Sequence, residues 1–281
     1  MQELDDYINK VKHLPPAPRI LPELLTLLRQ DDVDSGRVVS LLAYDPSLTA
    51  NVLKLSNSAF FGAATAATDL NEAITRLGFQ QVYQLVAVVS GARALTPAQK
   101  SYGLDAGELW KHSVAAAIAA QLIAKKLGDD ESLVFTATLL HDIGKIVLTD
   151  ALEHIYGKLL DESQKEQASL LEMEKKLLGV QHAEIGGRLL ARWKFPANLV
   201  SAVWFHHQPK AAEPHQRLAS YVYLGNMIAY FMGHGYGHQA FALRGRTDAL
   251  EILELSPDSL PRFMIQTFDK LQLVETLFNV G

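Results

Sequence analysis

The chain has 281 residues, 48% of them hydrophobic, which is enough apolar surface for one large packed core or two small ones. A net charge of −5 withholds the electropositive footprint that binding a phosphate backbone needs, so a nucleic-acid partner is not expected. The chain has no cysteine, which excludes disulfides, thiolate zinc sites and thiol nucleophiles together, and leaves His, Asp, Glu or Asn to hold any metal.

The amino terminus, MQELDDYINKVKH, is charged from the start, and the longest greasy stretch, SVAAAIAAQLIA, is too short to span a bilayer. The expectation is a cytoplasmic protein with no membrane partner. In chain order, RILPELLTLLRQ, SGRVVSLLAYD, PSLTANVLKLSNSAFF, LNEAITRLG and FQQVYQLVAVVSGARAL place apolar residues three and four apart, and alternating runs are scarce. The fold class predicted is all-α. Punctuation supports it: Pro15, Pro16 and Pro18 precede the first helix, Asp45-Pro46 separates two, and Gly62 and Gly78 each follow one. NEAITRLGFQQVYQLVAVV has the outline of a helix-turn-helix with Gly78 at its turn. Apolar residues dominate its would-be recognition helix, however, and Arg76 is the one basic residue nearby, which argues against DNA binding. In LSNSAFFG, which also offers Asn57 and Ser58, Phe60 and Phe61 read as packing residues ahead of a partner groove.

TPAQKSYGLDAG, residues 96–107, gathers Pro97, Gly103 and Gly107 without apolar periodicity and marks the expected internal boundary. The predicted organisation is an amino-terminal helical subdomain over 1–98, a second helical subdomain over 99–233 and a carboxy-terminal helical extension over 234–281. GHGYGH at 233–238 reads as a flexible loop.

Beyond residue 107 the histidines gather at helix ends. ELWKHSVAAAIAAQLIAKKLG reads as a helix ending near Gly128, and DDESLVFTATLLHDIGK as its antiparallel return, with Asp129 or Asp130 as N-cap. From His112 to the turn is roughly fifteen residues and back to His141 roughly twelve, so at about 1.5 Å per residue both ends finish at similar heights. His112 can then face His141 and Asp142, and Glu108, four positions earlier on the same helical face, can join them. The pattern recurs in QHAEIGGRLLARWKF and PANLVSAVWFHHQP, where His182 begins the ascent and His206 and His207 end the descent. Pro196 opens that return and Pro209 stops it. A lone helix-terminal histidine commonly caps a carbonyl or meets the macrodipole. The joint arrangement points instead to metal or phosphate binding, and imidazole with carboxylate suits iron, manganese, zinc or nickel. Trp110, Trp193 and Trp204 flank these helices and read as core anchors.

These residues resemble the HD superfamily of metal-dependent phosphohydrolases, whose signature is a His, a later His-Asp pair and a final Asp. The resemblance extends towards the HD-GYP branch of cyclic-dinucleotide phosphodiesterases, with Glu108, His112, His141, Asp142, Lys145, His182, His206 and His207 at positions matching its two-metal site. The chain departs from that branch twice. The closing aspartate falls at Asn226, and no Gly-Tyr-Pro follows HHQP, because Gly235-Tyr236-Gly237 comes too late. A more specific resemblance lies in LPPAPRILPELLTLL, LLAYDPSLTANVLKLSNSAFFG, NEAITRLGFQQVYQLV, LLHDIGKIVL, HAEIGGRLLARWKFP and HHQP, in that order, which look like the HDOD family of bacterial signalling modules. It implies a unit over about 13–210, an amino-terminal helical bundle packed on an HD-like bundle, and a regulatory role. With no sensor domain attached, the signal is expected to arrive through a signalling protein or a nucleotide-like ligand. The expected metal ligands are Glu108, His112, His141, Asp142, His182, His206, His207 and Asn226. The rival expectation is hydrolysis of a nucleotide or cyclic dinucleotide, with Asp142 bridging metals and Lys145 neutralising charge on the phosphoryl oxygens.

Overall fold

The computed structural model describes residues 20–28, 30, 32–58, 66–152, 169–235 and 247–278, together with 5 and 7–9. Among these residues the chain is all-α, with no strand beyond an isolated bridge between Gln99 and Leu104. It divides into two compact units, Ala17–Gly91 and Met1–Pro16 with Ala92–Gly281.

The smaller unit holds α1 (Ile20–Leu27), α2 (Ser35–Ala43), α3 (Pro46–Ser56), α4 (Leu70–Leu77) and most of α5 (Phe79–Leu95). Its helix starts follow capping chemistry. The carboxylates of Asp34, Asp45 and Asp69 accept from backbone N–H groups of the following first turns, and Pro46 supplies a first-turn residue that needs no donor. Gly78, at φ +80°, ends α4 in a backbone conformation that side chains with a Cβ disfavour. The helix-turn-helix outline thus exists as α4 and α5, but Val82, Tyr83 and Val86 of α5 are buried, so it presents no recognition face there. Arg76 is committed to Glu72, Asn57 and the Ser56 carbonyl.

Asn57 closes the connection that follows α3. Its Oδ1 accepts from the Ala67 N–H at 2.7 Å and its Nδ2 donates to the Ala67 carbonyl at 3.0 Å. Asn57→Ala is therefore expected to cost about 1–2 kcal/mol of stability, read as a shift of the denaturant midpoint. Phe60, Phe61, Gly62, Pro15, Pro16 and Pro18 lie outside the described residues, as do 236–238 of the glycine-rich stretch.

The division between the units falls inside α5, between Gly91 and Ala92, and not at residue 98. Residues 96–107 form a folded turn rather than a linker. Positive φ at Gly103 and Gly107 tightens it, and Ser101 Oγ and Gln99 Oε1 bond to the carbonyl and hydroxyl of Thr149.

The larger unit is built on α6 (Glu108–Leu127), whose residues from Leu109 to Ala124 are nearly all buried. Alanines at 115–117, 119 and 120 keep its surface low, so α7 (Glu131–Leu139), α12 (Gln216–Phe231) and α14 (Leu260–Phe278) approach closely. At Gly225 of α12 a Cβ would stand 2.5 Å from the Ala116 carbonyl oxygen, so only glycine permits that approach. The unit also holds α8 (Gly144–Leu152), α9 (Leu170–Leu178), α10 (His182–Arg192), α11 (Ala197–Trp204) and α13 (Asp248–Ile252). The segment expected as a carboxy-terminal extension, 234–281, belongs to this unit, with Phe263 and Leu271 of α14 buried. Asp130 caps α7, whereas Asp129 pairs with Arg217. Trp110 is a core residue; Trp193 and Trp204 are only half-buried. Glu131–Thr149 has the length and hydropathy of a membrane span, but 83% of that window is buried within the bundle.

Candidate metal centre

Five helices deliver side chains to one buried point. His112 projects from α6. His141 and Asp142 lie just past the end of α7, and Lys145 is the second residue of α8. His182 opens α10, and His206 and His207 follow the end of α11. Asp142 stands at the centre, with its two oxygens facing opposite ways. Oδ2 lies 3.4 Å from His141 Nε2 and 3.6 Å from His112 Nε2, while Oδ1 lies 3.3 Å from His182 Nε2 and 3.9 Å from His206 Nε2. His207 Nε2 is 3.0 Å from His182 Nε2. Two groups of ligand atoms result, each within a span of 4.8 Å: His112, His141 and Asp142 in one, His182, His206 and His207 in the other.

The imidazoles are held by their far nitrogens. His141 Nδ1 bonds to the Thr138 carbonyl at 2.6 Å, His206 Nδ1 to the Val203 carbonyl at 2.7 Å, His112 Nδ1 to the His234 carbonyl at 3.2 Å, and His182 Nδ1 to the Glu174 carboxylate at 2.9 Å. A carbonyl only accepts, so the Nδ1 of those three rings carries the hydrogen. In a neutral ring Nε2 is then a bare lone pair, and the Nε2 atoms point inward. His112, His141 and His206 Nε2 are buried with no hydrogen-bond partner among the described residues, and Asp142 Oδ1 has the ion pair with His182 alone. Buried acceptors without a donor are rare and costly, and their convergence is what a cation would satisfy.

The charge state agrees. Burial lowers the pKa of His112 to about 3 and that of His141, while His206 and His207 are pushed well below the ordinary histidine range by burial and then by neighbouring histidines. His182 differs. Burial opposes its charged form, but the Glu174 carboxylate and Asp142 outweigh burial and raise its pKa to about 9. His182 is therefore the donor in its contact with His207 when no cation is present. Burial also opposes ionisation of Asp142, yet His141, Lys145 and His182 hold its pKa well below the usual carboxylate value. Lys145 Nζ donates to Asp142 Oδ2 at 2.6 Å, and burial notwithstanding, that partner raises the lysine pKa.

Three contributors were not among the sequence expectations. Glu174 is fully buried and accepts from the Tyr102 hydroxyl at 2.8 Å as well as from the backbone N–H and Nδ1 of His182. Tyr230 packs its ring 4.7 Å from that of His112. The turn after α12 supplies the His234 carbonyl and Gly235, where a Cβ would come within 2.6 Å of His112 Nδ1.

Two expected ligands stand differently. Glu108 does not join the cluster: as the first residue of α6 it is exposed and bends back to accept from the Asp105 N–H. Asn226 is buried on α12, one turn before Tyr230, and its Oδ1 has no hydrogen-bond partner among the described residues.

An all-helical bundle that buries a His-Asp pair among further histidines defines an HD-superfamily domain. The sequence profile of the HDOD domain matches residues 14–209, and the chain belongs to the HDOD family. An uncharacterized protein of Treponema pallidum is 29% identical over 227 residues, which cover 80% of this chain and 44% of that protein. This chain thus spans less than half the length of that relative. Among solved structures, a Shewanella amazonensis protein whose phosphohydrolase assignment is itself inferred superposes with a TM-score of 0.70 at 27% identity, covering 94% of this chain and 93% of its own. A Geobacter sulfurreducens HDOD domain protein of unknown function superposes at 0.67 with 22% identity, over 96% and 97% of the two chains, and shares the fold.

Proposed function

We propose that this chain is a regulatory module of signal transduction whose buried cluster holds a divalent transition metal. Its output would pass through contact with a signalling protein or a nucleotide-like ligand in the cytoplasm, and not through turnover. The observation that carries the reading is the convergence of three partnerless Nε2 lone pairs and Asp142 Oδ1 on one buried point. Such a donor set fits iron, manganese, zinc or nickel.

Charge disfavours turnover. Asp142 is the carboxylate that faces His112, His141, His182 and His206; Glu174 is bonded to the far nitrogen of His182, Glu108 points outward and position 226 is a neutral asparagine. Lys145 already neutralises that carboxylate. A bound metal would supply Lewis acidity, but a pair of divalent ions would meet too little negative charge to be held together. The second reading, hydrolysis of a nucleotide or cyclic dinucleotide, is favoured by Lys145 itself, a fixed ammonium placed where phosphoryl oxygens would gain charge.

Protein purified without a metal-affinity tag, stripped with chelator and then melted with and without manganese tests the choice. A metal-dependent rise in melting temperature with no hydrolysis of nucleotides or cyclic dinucleotides is the expected result, since a ligand bound to the folded state stabilises it by linkage. Robust turnover by the natural sequence would overturn the regulatory reading.

A further inference from the structure

The outer face of α14 is apolar where no described residue covers it. Among the described residues four large apolar side chains are more than half exposed, and two of them, Ile265 at 66% and Phe268 at 53%, stand three residues apart on this one helix. We propose that this face is the seam of a symmetric dimer, in which α14 of one copy of the chain packs antiparallel against α14 of a second. The proposal holds whether or not the histidine cluster takes an ion.

Spacing is the first support. Pro261, Ile265, Phe268 and Gln272 are all exposed and follow one another at intervals of four, three and four, the spacing that keeps a coiled-coil seam on one side of a helix. At about 100° per residue they fall within about 60° of one another, turned away from Phe263, Thr267 and Leu271, which are buried in the bundle. The helix is held by that inner face. Lys126 Nζ lies 5.8 Å over the Phe263 ring and Lys111 pairs with Glu275, so α14 is fastened at two levels along α6 and presents its outer stripe on a rigid element.

Charge chooses the occupant and its orientation. Arg262 and Asp269 lie seven residues apart on the same flank of the stripe, both exposed and neither in an ion pair among the described residues. A two-fold antiparallel pairing sets that flank of one copy against the same flank of the other. With the axis between Ile265 and Phe268, Ile265 meets the second copy's Phe268, and Arg262 comes within about 3 Å of the level of its Asp269, twice over by symmetry. A parallel pairing would turn each charge towards the partner's opposite flank, where Leu271 is buried and Met264 half-buried. A foreign helix would need its own acid and base at matching places, whereas a second copy carries them already. One helix pair buries less than the roughly 1,200 Å² of total surface at which stable specific interfaces begin, so the dimer should be weak and reversible.

Sedimentation equilibrium of the full chain, from low to high micromolar concentration, tests the proposal. A monomer–dimer equilibrium that weakens as salt is raised is expected. Phe268→Asp should raise the dissociation constant by about tenfold or more, because it places two carboxylates in the seam. Arg262→Asp and Asp269→Arg should each weaken the dimer by setting like charges face to face, and the double variant, with the charges exchanged, should restore it. These three side chains are exposed, so each variant should keep the parent's far-UV circular dichroism and melting temperature in dilute solution. A chain that stays monomeric throughout would overturn the proposal and leave the face to a partner of other sequence. A dimer indifferent to Phe268→Asp would place the interface elsewhere, and a double variant no tighter than the single ones would overturn the antiparallel pairing.

Discussion

Gly144→Ala is expected to destabilise the protein by about 3 kcal/mol or more, towards the upper end of what overpacking causes. A Cβ at residue 144 would stand 1.9 Å from the His182 carbonyl oxygen and 2.7 Å from the Gly186 N. Both are backbone atoms, so no rotamer change relieves the contact. Relief requires α8 to separate from α10, and α10 begins at His182. If the variant folds, His182 is displaced from Asp142 and the metal-dependent melting shift should vanish with it. A denaturant midpoint within about 1 kcal/mol of the parent would show that the two helices yield more easily than close packing implies.

Glu174→Ala should be comparably severe. It strips the acceptor from the Tyr102 hydroxyl, the His182 N–H and His182 Nδ1 at once, all of them buried. Breaking a buried charged pair from one side costs about 3–5 kcal/mol. Loss of the partner that orients a ligating histidine also lowers metal affinity, by about 10–100-fold. Glu174→Gln keeps the shape and removes the charge, which isolates the electrostatic part. In metal-free protein, Glu174 helps to raise the folded pKa of His182 from 6.5 to about 9. A raised folded value stabilises at pH below the unfolded value and is lost as pH rises through the folded one. The stability advantage of the parent over Glu174→Gln should therefore be full below about pH 6.5 and shrink towards pH 9. Urea unfolding at several pH values measures it, and an advantage that grows with pH would contradict the assignment.

Histidine placement was legible because helical rise is constant. Counting residues up α6 and down α7, then up α10 and down α11, was enough to bring five histidines from two hairpins to one level. The choice between a histidine that caps a carbonyl and one that serves a site was a false alternative. In His141 and His206 one ring nitrogen caps a carbonyl and leaves the other facing the cluster. The Glu108 expectation failed because a face argument assumes an interior helical residue. At the first position of α6 the side chain meets unpaired backbone donors and turns to them. Glu174 went unseen in LLEMEKKLL, where charged residues alternate with apolar ones. Its register was the available signal, since Leu171, Glu174 and Leu178 share one face, and a carboxylate there is committed to burial. The unit boundary inside α5 left no mark, because it falls within one continuous helix, with no loop, proline or change of composition at Gly91–Ala92.

If the cluster holds an ion, the hydrogen bonds from His141 and His206 to carbonyls three residues earlier make the last turns of α7 and α11 part of its coordination geometry. Those carbonyls keep their positions only while the turns stay wound. Fraying either helix by a single turn would release its imidazole to rotate, and an ion held by that imidazole would resist the fraying in return. On that reading, occupancy of the centre and the winding of two helix termini would be linked quantities. A partner that grips or unwinds one of those termini would alter metal retention without touching the metal, and a change in metal supply would be felt at the same termini as a change in their stiffness.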